Sequence, residues 1–322
     1  VRYYDIAIIP PSGGKPSLTF QSHPQGQFNA SALDIEFDLP VTQAGIPIGG
    51  QTITIHGISL DNLSQAQQFA GQNLTMKGGM QAGLPLNNPA QAGLIVQAQI
   101  FQSYANWVGT DMTLDFMLYA PIYTTDNPGN LVLDWQPGMS LATALKNTFN
   151  VAYPNIPVQM NIGDQYVPST GRPHFAGTLD EMAQYVADTT QGLFKQTVHI
   201  AMQTGQLLVY DTTTYKPSPV QLVFTDLIGQ PTWIEPGTMQ IKTVMRADLQ
   251  IGSLLRMPQG MQNVPGFVTT QSGSLPSSMK YQSTFQGQFQ VIALRHLGHF
   301  RSSDAGDWCT VFNVIPDSAS GA

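Results

Sequence analysis

The chain has 322 residues, 42% of them hydrophobic, which is too many for one small core, so two or three packed units are expected. Charged residues make up only 10%, against roughly 25% in an average soluble domain, and Gln, Asn, Ser and Thr must supply the polar surface instead. A net charge of −7 with 13 Lys and Arg argues against DNA binding through phosphate neutralisation, and regular runs of aromatic and β-branched residues argue against disorder.

Residues 3–9 form a β-rich run that ends at the turn cluster Pro10-Pro11-Ser12-Gly13-Gly14, and extended character resumes over 17–21, which together read as a hairpin. Leu33, Ile35, Phe37 and Leu39 alternate with Asp34, Glu36 and Asp38, the clearest strand pattern in the chain. Three carboxylates on one face could bind a cation, but acidic residues on the wet face of a strand need no ligand. Further strands are expected over 51–58, 73–80, 94–104 and 112–119, with 60–69 either a turn of helix or a loop.

The pattern changes after Ala120-Pro121. Met139, Leu141, Ala142, Leu145 and Phe149, within 134–150, have helical spacing, with Ser140 near the start and Pro154 as a stop. A second helix opens at Thr178-Leu179-Asp180-Glu181 in a capping pattern, carries Met182, Tyr185 and Val186 as its apolar stripe, and is expected to end at Gly192. Residues 193–202 and 206–210 read as a hairpin across Gln203-Thr204-Gly205. Strands return over 220–224, 239–245, 254–257, 288–297 and 308–315, while 258–278 reads as a long loop suited to contacts with a neighbour. The fold class is thus mainly β with a small α+β insert, divided as 1–120, 121–215 and 216–322.

Few residues offer chemistry. The single Cys309 excludes an intramolecular disulfide and sits in a strand-like run as a small buried apolar residue. His296 and His299, three apart in a strand, should point to opposite faces, which weakens a metal reading. Gly49-Gly50 and Gly78-Gly79 read as turn residues rather than phosphate cradles. Nothing singles out a pair from Asp115, Asp164, Asp180 and Glu181 as a hydrolytic couple, and no nucleophile or nucleotide motif is present. No catalytic, cofactor-binding or metal-binding residue is therefore nominated, and no cofactor is expected. Neither a secretion signal nor an apolar run of about 18 residues is visible.

The run from Met239 to Pro258 and the later run Phe289 to Arg301, followed by Asp307-Trp308-Cys309-Thr310, resemble the strand segments and closing hairpin of phage tail baseplate hub proteins of the late-control-protein-D type. That resemblance implies two tail-tube-like antiparallel β-barrel domains in one subunit. It also implies a homotrimer that presents six barrels, matching a sixfold tail tube or distal tail protein on one side and a threefold central spike protein on the other. Other baseplate proteins and the tape-measure protein would be partners. DNA would pass through the lumen without specific binding, which a cation-poor wall suits, and the protein would be a virion component assembled in the host cytoplasm. No membrane anchor is expected, and a short tail over 317–322 leaves no room for an added enzyme. The rival readings are a receptor- or carbohydrate-binding tail component, suggested by Trp107, Trp135, Trp233 and Trp308 although buried core tryptophans explain these more simply, and a tail-associated cell-wall hydrolase.

Overall fold

The structure is a computed structural model that describes residues 1–42, 50–81, 88–119, 130–258, 285 and 287–317. The expected loop over 258–278, apart from Pro258, lies outside the described residues, as do Gly49, the Ala120-Pro121 junction and residues 318–322 of the tail.

The first β-rich region comprises β1 (Arg2–Ile9), β2 (Leu18–Gln21), β3 (Ile35–Thr42), β4 (Gln51–His56), β5 (Asn73–Met80), β6 (Gly93–Val108) and β7 (Asp111–Tyr119). Alternation dictates the faces: Tyr4, Ile6 and Ile8 of β1 and Ile35, Phe37, Leu39 and Val41 of β3 turn inward and are buried. The ambiguous segment 60–69 resolves into a short helix, α1 (Leu60–Ser64), capped by Ser59, and a 3-10 turn over Ala66–Phe69 that buries Phe69.

The insert contains β8 (Leu131–Trp135), α2 (Leu141–Ala152), β9 (Val158–Asn161), β10 (Arg172–Ala176), α3 (Leu179–Phe194), β11 (Val198–Gln203) and β12 (Gln206–Asp211). Ser140 caps α2 by accepting from Thr143 N at 3.3 Å, and Thr178 caps α3 by accepting from Glu181 N at 3.2 Å. The Glu181 carboxylate reaches back to Gly177 N at 2.7 Å, so it closes the helix start and is not poised as an acid. Thr204 and Gly205 both have positive φ, 46° and 75°, as a two-residue hairpin loop requires.

Two boundaries in the insert differ from expectation. Asp134 and Trp135 belong to a strand, β8, and helix begins only after Ser140. The second helix runs through Gly192, and Leu193 and Phe194 extend it rather than opening β11. It stops where Lys195 takes the left-handed conformation at φ 57°.

The last region contains β13 (Val220–Gln221), β14 (Thr232–Glu235), β15 (Thr238–Val244), β16 (Leu254–Arg256), β17 (Gln288–His299) and β18 (Trp308–Pro316). The expected strand over 220–224 keeps only its first two residues, and Phe224–Asp226 turns as 3-10 helix.

Apart from the parallel pairs β13–β16 and β9–β12, the strands pair antiparallel, so the chain has the mainly β, antiparallel fold expected of it, with a small α+β insert. One hydrogen-bonded path links β14-β15-β18-β17-β3-β4-β7-β6-β5-β1-β2. The joint is β17. One edge pairs with β18, and the other is shared between β16 at Gln288 to Gln290 and β3 from Ala293 to His299. The first and last β-rich regions are thus stitched edge to edge.

Two cores result. One fills the first region and takes in Met245, Phe300 and Trp308 from the last. The other runs without a break from the insert, around Trp135, Phe149 and Tyr166, into the last region, around Ile241, Val291 and Phe312.

Candidate functional site

A network of polar side chains lies on the solvent face of the β17–β3–β4–β7 strip. Asp34, Glu36 and Asp38 point outward there, as the alternation requires, and each meets a cation or imidazole from a neighbouring strand. Arg295 on β17 forms a bidentate ion pair with Asp38. His299 Nε2 lies 3.1 Å from Asp34 Oδ2 and 3.6 Å from Glu36 Oε1. His56 on β4 lies 3.5 Å from the same Glu36 oxygen through Nε2 and 3.0 Å from Asp111 Oδ2 through Nδ1. Burial lowers the proton affinity of His56, but the hydrogen bond to Asp111 and the charges of Asp111, Glu36 and Asp34 outweigh it and raise the pKa. His296 is on the opposite face, as its spacing from His299 predicts. It is buried against Thr310 Oγ1 at 2.9 Å, and desolvation pushes its pKa down to about 4.

A second polar group is buried between the regions. Arg246, 1% exposed, forms a bidentate pair with Asp248 at 2.6 and 2.7 Å and lies 3.3 Å from Asp226. Asp226 also accepts from Gln91 Nε2 at 3.0 Å, and Gln91 O receives Ala247 N at 2.8 Å, tying a loop of the first region to the last. The Arg246–Asp248 pair falls in the segment that carries the resemblance to hub proteins, and its job here is to fasten two parts of one chain together.

An open cleft of about 470 Å³ lies between Arg2, Phe28 and Met80 on one side and Ile228, Phe300, Arg301 and Trp308 on the other. Its two guanidinium groups are occupied by backbone oxygens: Arg2 donates to Phe300 O at 3.1 Å and Arg301 to Ala30 O at 2.9 Å. Among the described residues, the lining contains neither a carboxylate nor an imidazole, so these side chains bring no acid and base together. Among the described residues, no three His, Cys, Asp or Glu are grouped to hold a metal ion, and no helix is long and apolar enough to cross a membrane.

The residues weighed for chemistry are dispersed. Asp115 on β7 binds Thr54, Asn106 and Thr113, far in sequence from Asp180 and Glu181 at the start of α3. Cys309 is fully buried, and burial pushes its thiol pKa up. Gly78 and Gly79 are not turn residues: both lie inside β5, where a side chain at 78 would meet Ile95 and one at 79 would meet Ala92. Gly79 O also accepts the indole N–H of Trp308 at 2.9 Å.

Trp135 and Trp308 are buried, as expected of core tryptophans, but Trp107 is 62% exposed near the end of the β6–β7 hairpin. Phe101, Tyr104 and Val108 on the same strand are exposed as well. Past the bulge at Ile100/Gln102, Trp107 shares a face with Ser103 and Ala105 and stands opposite Met112, so its exposure comes from its place near the hairpin tip, beyond the inward-packed pairs Ser103–Phe116 and Ala105–Leu114, which residue order does not mark.

No protein-family model matches the chain, and no curated protein matches it in sequence. Solved structures match it in fold. The tail protein from Neisseria meningitidis MC58 superposes with a TM-score of 0.53 at 10% identity, covering 99% of this chain and 98% of that one. The 43 kDa tail protein of prophage MuSo2 from Shewanella oneidensis gives 0.53 at 10% identity over 99% of each chain. The E. coli c3393 protein gives 0.50 at 9% identity over 89% of this chain and 73% of that one. It is described as a type VI secretion system component similar in structure to the T4 bacteriophage tail proteins gp27 and gp5. At these identities the likeness is one of fold, and with the two tail proteins it runs the length of both chains.

Proposed function

We propose that this protein is a non-enzymatic structural hub of a phage-type tail, which adapts a sixfold tail tube to a threefold central spike. The observation that carries the reading is the end-to-end likeness of fold to two tail proteins, together with the one to a component described as similar to gp27 and gp5. In this reading, residues 1–120 and 216–322 act as two tube-like barrels and 121–215 as the insert. A subunit that carries two joined β-rich regions suits such an adaptor, because three copies in a closed ring present six similar lobes. The β3–β17 joint sets the angle between the two lobes within a chain, and heterologous contacts repeat it between chains. A wall with few cations lets DNA pass without sticking. The partners are then the tube or distal tail protein, the spike, the tape-measure protein and other baseplate proteins. The solution mass of the purified protein tests this: three copies per particle are expected, and a particle that stays a single chain at all concentrations would overturn it.

A second reading, a glycan- or receptor-binding tail component, has one observation in its favour, the exposed Trp107. It predicts glycan binding that Trp107→Ala abolishes. The hub reading predicts no glycan binding and weaker self-association in that variant.

A further inference from the structure

The two β-rich regions repeat one pattern of five strands. In the first, β3-β4-β7-β6-β5 lie side by side in that order; in the last, β14-β15-β18-β17-β16 do, and every pair in both runs is antiparallel. The match reaches single residues. Ile100 of β6 exchanges backbone hydrogen bonds with Gly71 and Gln72, both at 2.8 Å, as Val291 of β17 does with Gly252 and Ser253, both at 2.9 Å. The two glycines have positive φ, 82° and 81°, and each strand bulges one residue later, at Phe101 and at Ile292.

The two copies of the pattern differ in what lies beyond the bulge. There β17 pairs with β3 from Ala293 to His299, so both its edges are filled. Among the described residues, β6 pairs beyond its bulge with β7 alone, and the other edge of residues 102–108 has no strand beside it. The 3-10 turn over Ala66–Phe69 meets this stretch on the inner face, through the buried Ser103, whose hydroxyl donates to Ala66 O at 2.6 Å. The counterpart of β3 in the last region is β14, which among the described residues has β15 on one edge and no strand on the other. Each half of a second joint is thus present without its partner. The halves do not meet within the chain, because β6 and β14 stand at the two ends of the run β14-β15-β18-β17-β3-β4-β7-β6.

We propose that copies of this chain join by antiparallel pairing of β14 of one with residues 102–107 of β6 of the next, which repeats between chains the β3–β17 joint within each. The repeat dictates the register. Asp38 stands opposite Thr52, and Thr52 opposite Met117; Thr232 stands opposite Gln240, and Gln240 opposite Asn313. Met117 and Asn313 face the first residue past each bulge, Gln102 and Ala293. Thr232 is therefore the counterpart of Asp38, and Asn106 that of Leu297, the residue Asp38 pairs with. The joint between chains accordingly sets Asn106 opposite Thr232, Ala105 opposite Trp233 and Trp107 opposite Pro231. Within the chain Gly298 stands opposite Phe37, so the large and the small partner change strands and the exposed Trp107 gains a cover. The pairing closes two open edges flanked by the exposed Phe101 and Val108 on β6 and Ile234 on β14. It rests on the hub reading for its count of three and adds the strands and register of the contact, which is heterologous and closes as a ring.

Asn106→Cys combined with Thr232→Cys in the full chain tests the register, since both positions are exposed and the native Cys309 is buried. Directly opposed residues of paired strands lie within the span of a disulfide. After oxidation the double variant should run on a denaturing gel as linked dimers and trimers, and each single variant as unlinked chains. If light scattering finds three copies per particle and no chains are linked, this pairing is overturned and the hub reading stands; a particle that stays a single chain overturns both. Amide hydrogen exchange on the wild-type trimer needs no variant. A strand paired on one edge leaves alternate amides unbonded, whereas one paired on both edges protects consecutive amides. Slow exchange at every amide from 102 to 107 is expected, and alternation of slow and fast amides there would overturn the pairing.

Discussion

Gly298 on β17 stands opposite Phe37 on β3, and a methyl group at position 298 would fall inside the Phe37 ring. That ring lies edge-on to Trp308 with centroids 5.2 Å apart, and Trp308 is the partner of Gly298 on the other edge of β17. The missing side chain is what lets an aromatic pair cover the seam between the two β-rich regions.

Gly298→Ala should therefore destabilise the protein by about 1–3 kcal/mol through overpacking. Urea unfolding reads this as a lower midpoint with an unchanged slope. A midpoint equal to that of the wild type would mean that the Phe37 ring moves aside freely.

Arg246 is a fully buried cation, and its removal strands Asp226 and Asp248 without their counter-charge. Arg246→Met should cost roughly 3–5 kcal/mol, the usual cost of breaking a buried pair from one side. Adding Asp226→Asn and Asp248→Asn should recover much of the loss, since the uncompensated charge is then gone. No recovery in the triple variant would indicate that the packing of the Arg246 stem matters more than its charge.

His296 supplies an acid-side prediction. Its pKa is held down to about 4 by burial, while the unfolded chain takes up a proton near 6.5. Stability should thus fall as the pH drops from 6.5 toward 4, by up to roughly 3 kcal/mol from this residue alone. His296→Gln keeps a polar partner for Thr310 and should flatten that limb of the stability curve. If the wild-type and variant curves run parallel over this range, His296 is not a neutral buried imidazole.

Much of this architecture can be read from residue order. The alternation at 33–39 marks β3 and its wet acidic face, the odd spacing of His296 and His299 separates a core ring from a surface one, and Ser140 and Thr178 mark both longer helices. What stays hidden is long-range. Asp34, Glu36 and Asp38 announce a solvent face, but their partners Arg295 and His299 lie more than 250 residues away, and pairing between distant strands leaves no local periodicity. Gly78-Gly79 reads as a turn because both a turn and a crowded strand favour glycine, and only the positions of Ala92 and Ile95 decide between them. The strands β8, β9, β10 and β14 are four or five residues long, too short to establish a period against neighbouring helix and loop. Trp107 reads as one more core tryptophan because residue order does not show that the β6–β7 hairpin carries it past the inward-packed pair Ala105–Leu114.

Trp107→Ala should change the stability of the isolated chain by less than about 0.5 kcal/mol, as expected of a surface position. Trp135→Ala, at a fully buried site between β8 and the insert helices, should cost about 3–5 kcal/mol. Equal losses in the two variants, read from thermal melts, would show that Trp107 packs against the protein in solution.

The proposed hub function stands or falls on the shape of the assembled particle. Averaged electron micrographs of the purified protein should show a closed ring of six lobes around an open channel, built by three chains, with the lobes alternating between two kinds. A single elongated body with no channel, at concentrations where the spike and tube partners are also present, would contradict it.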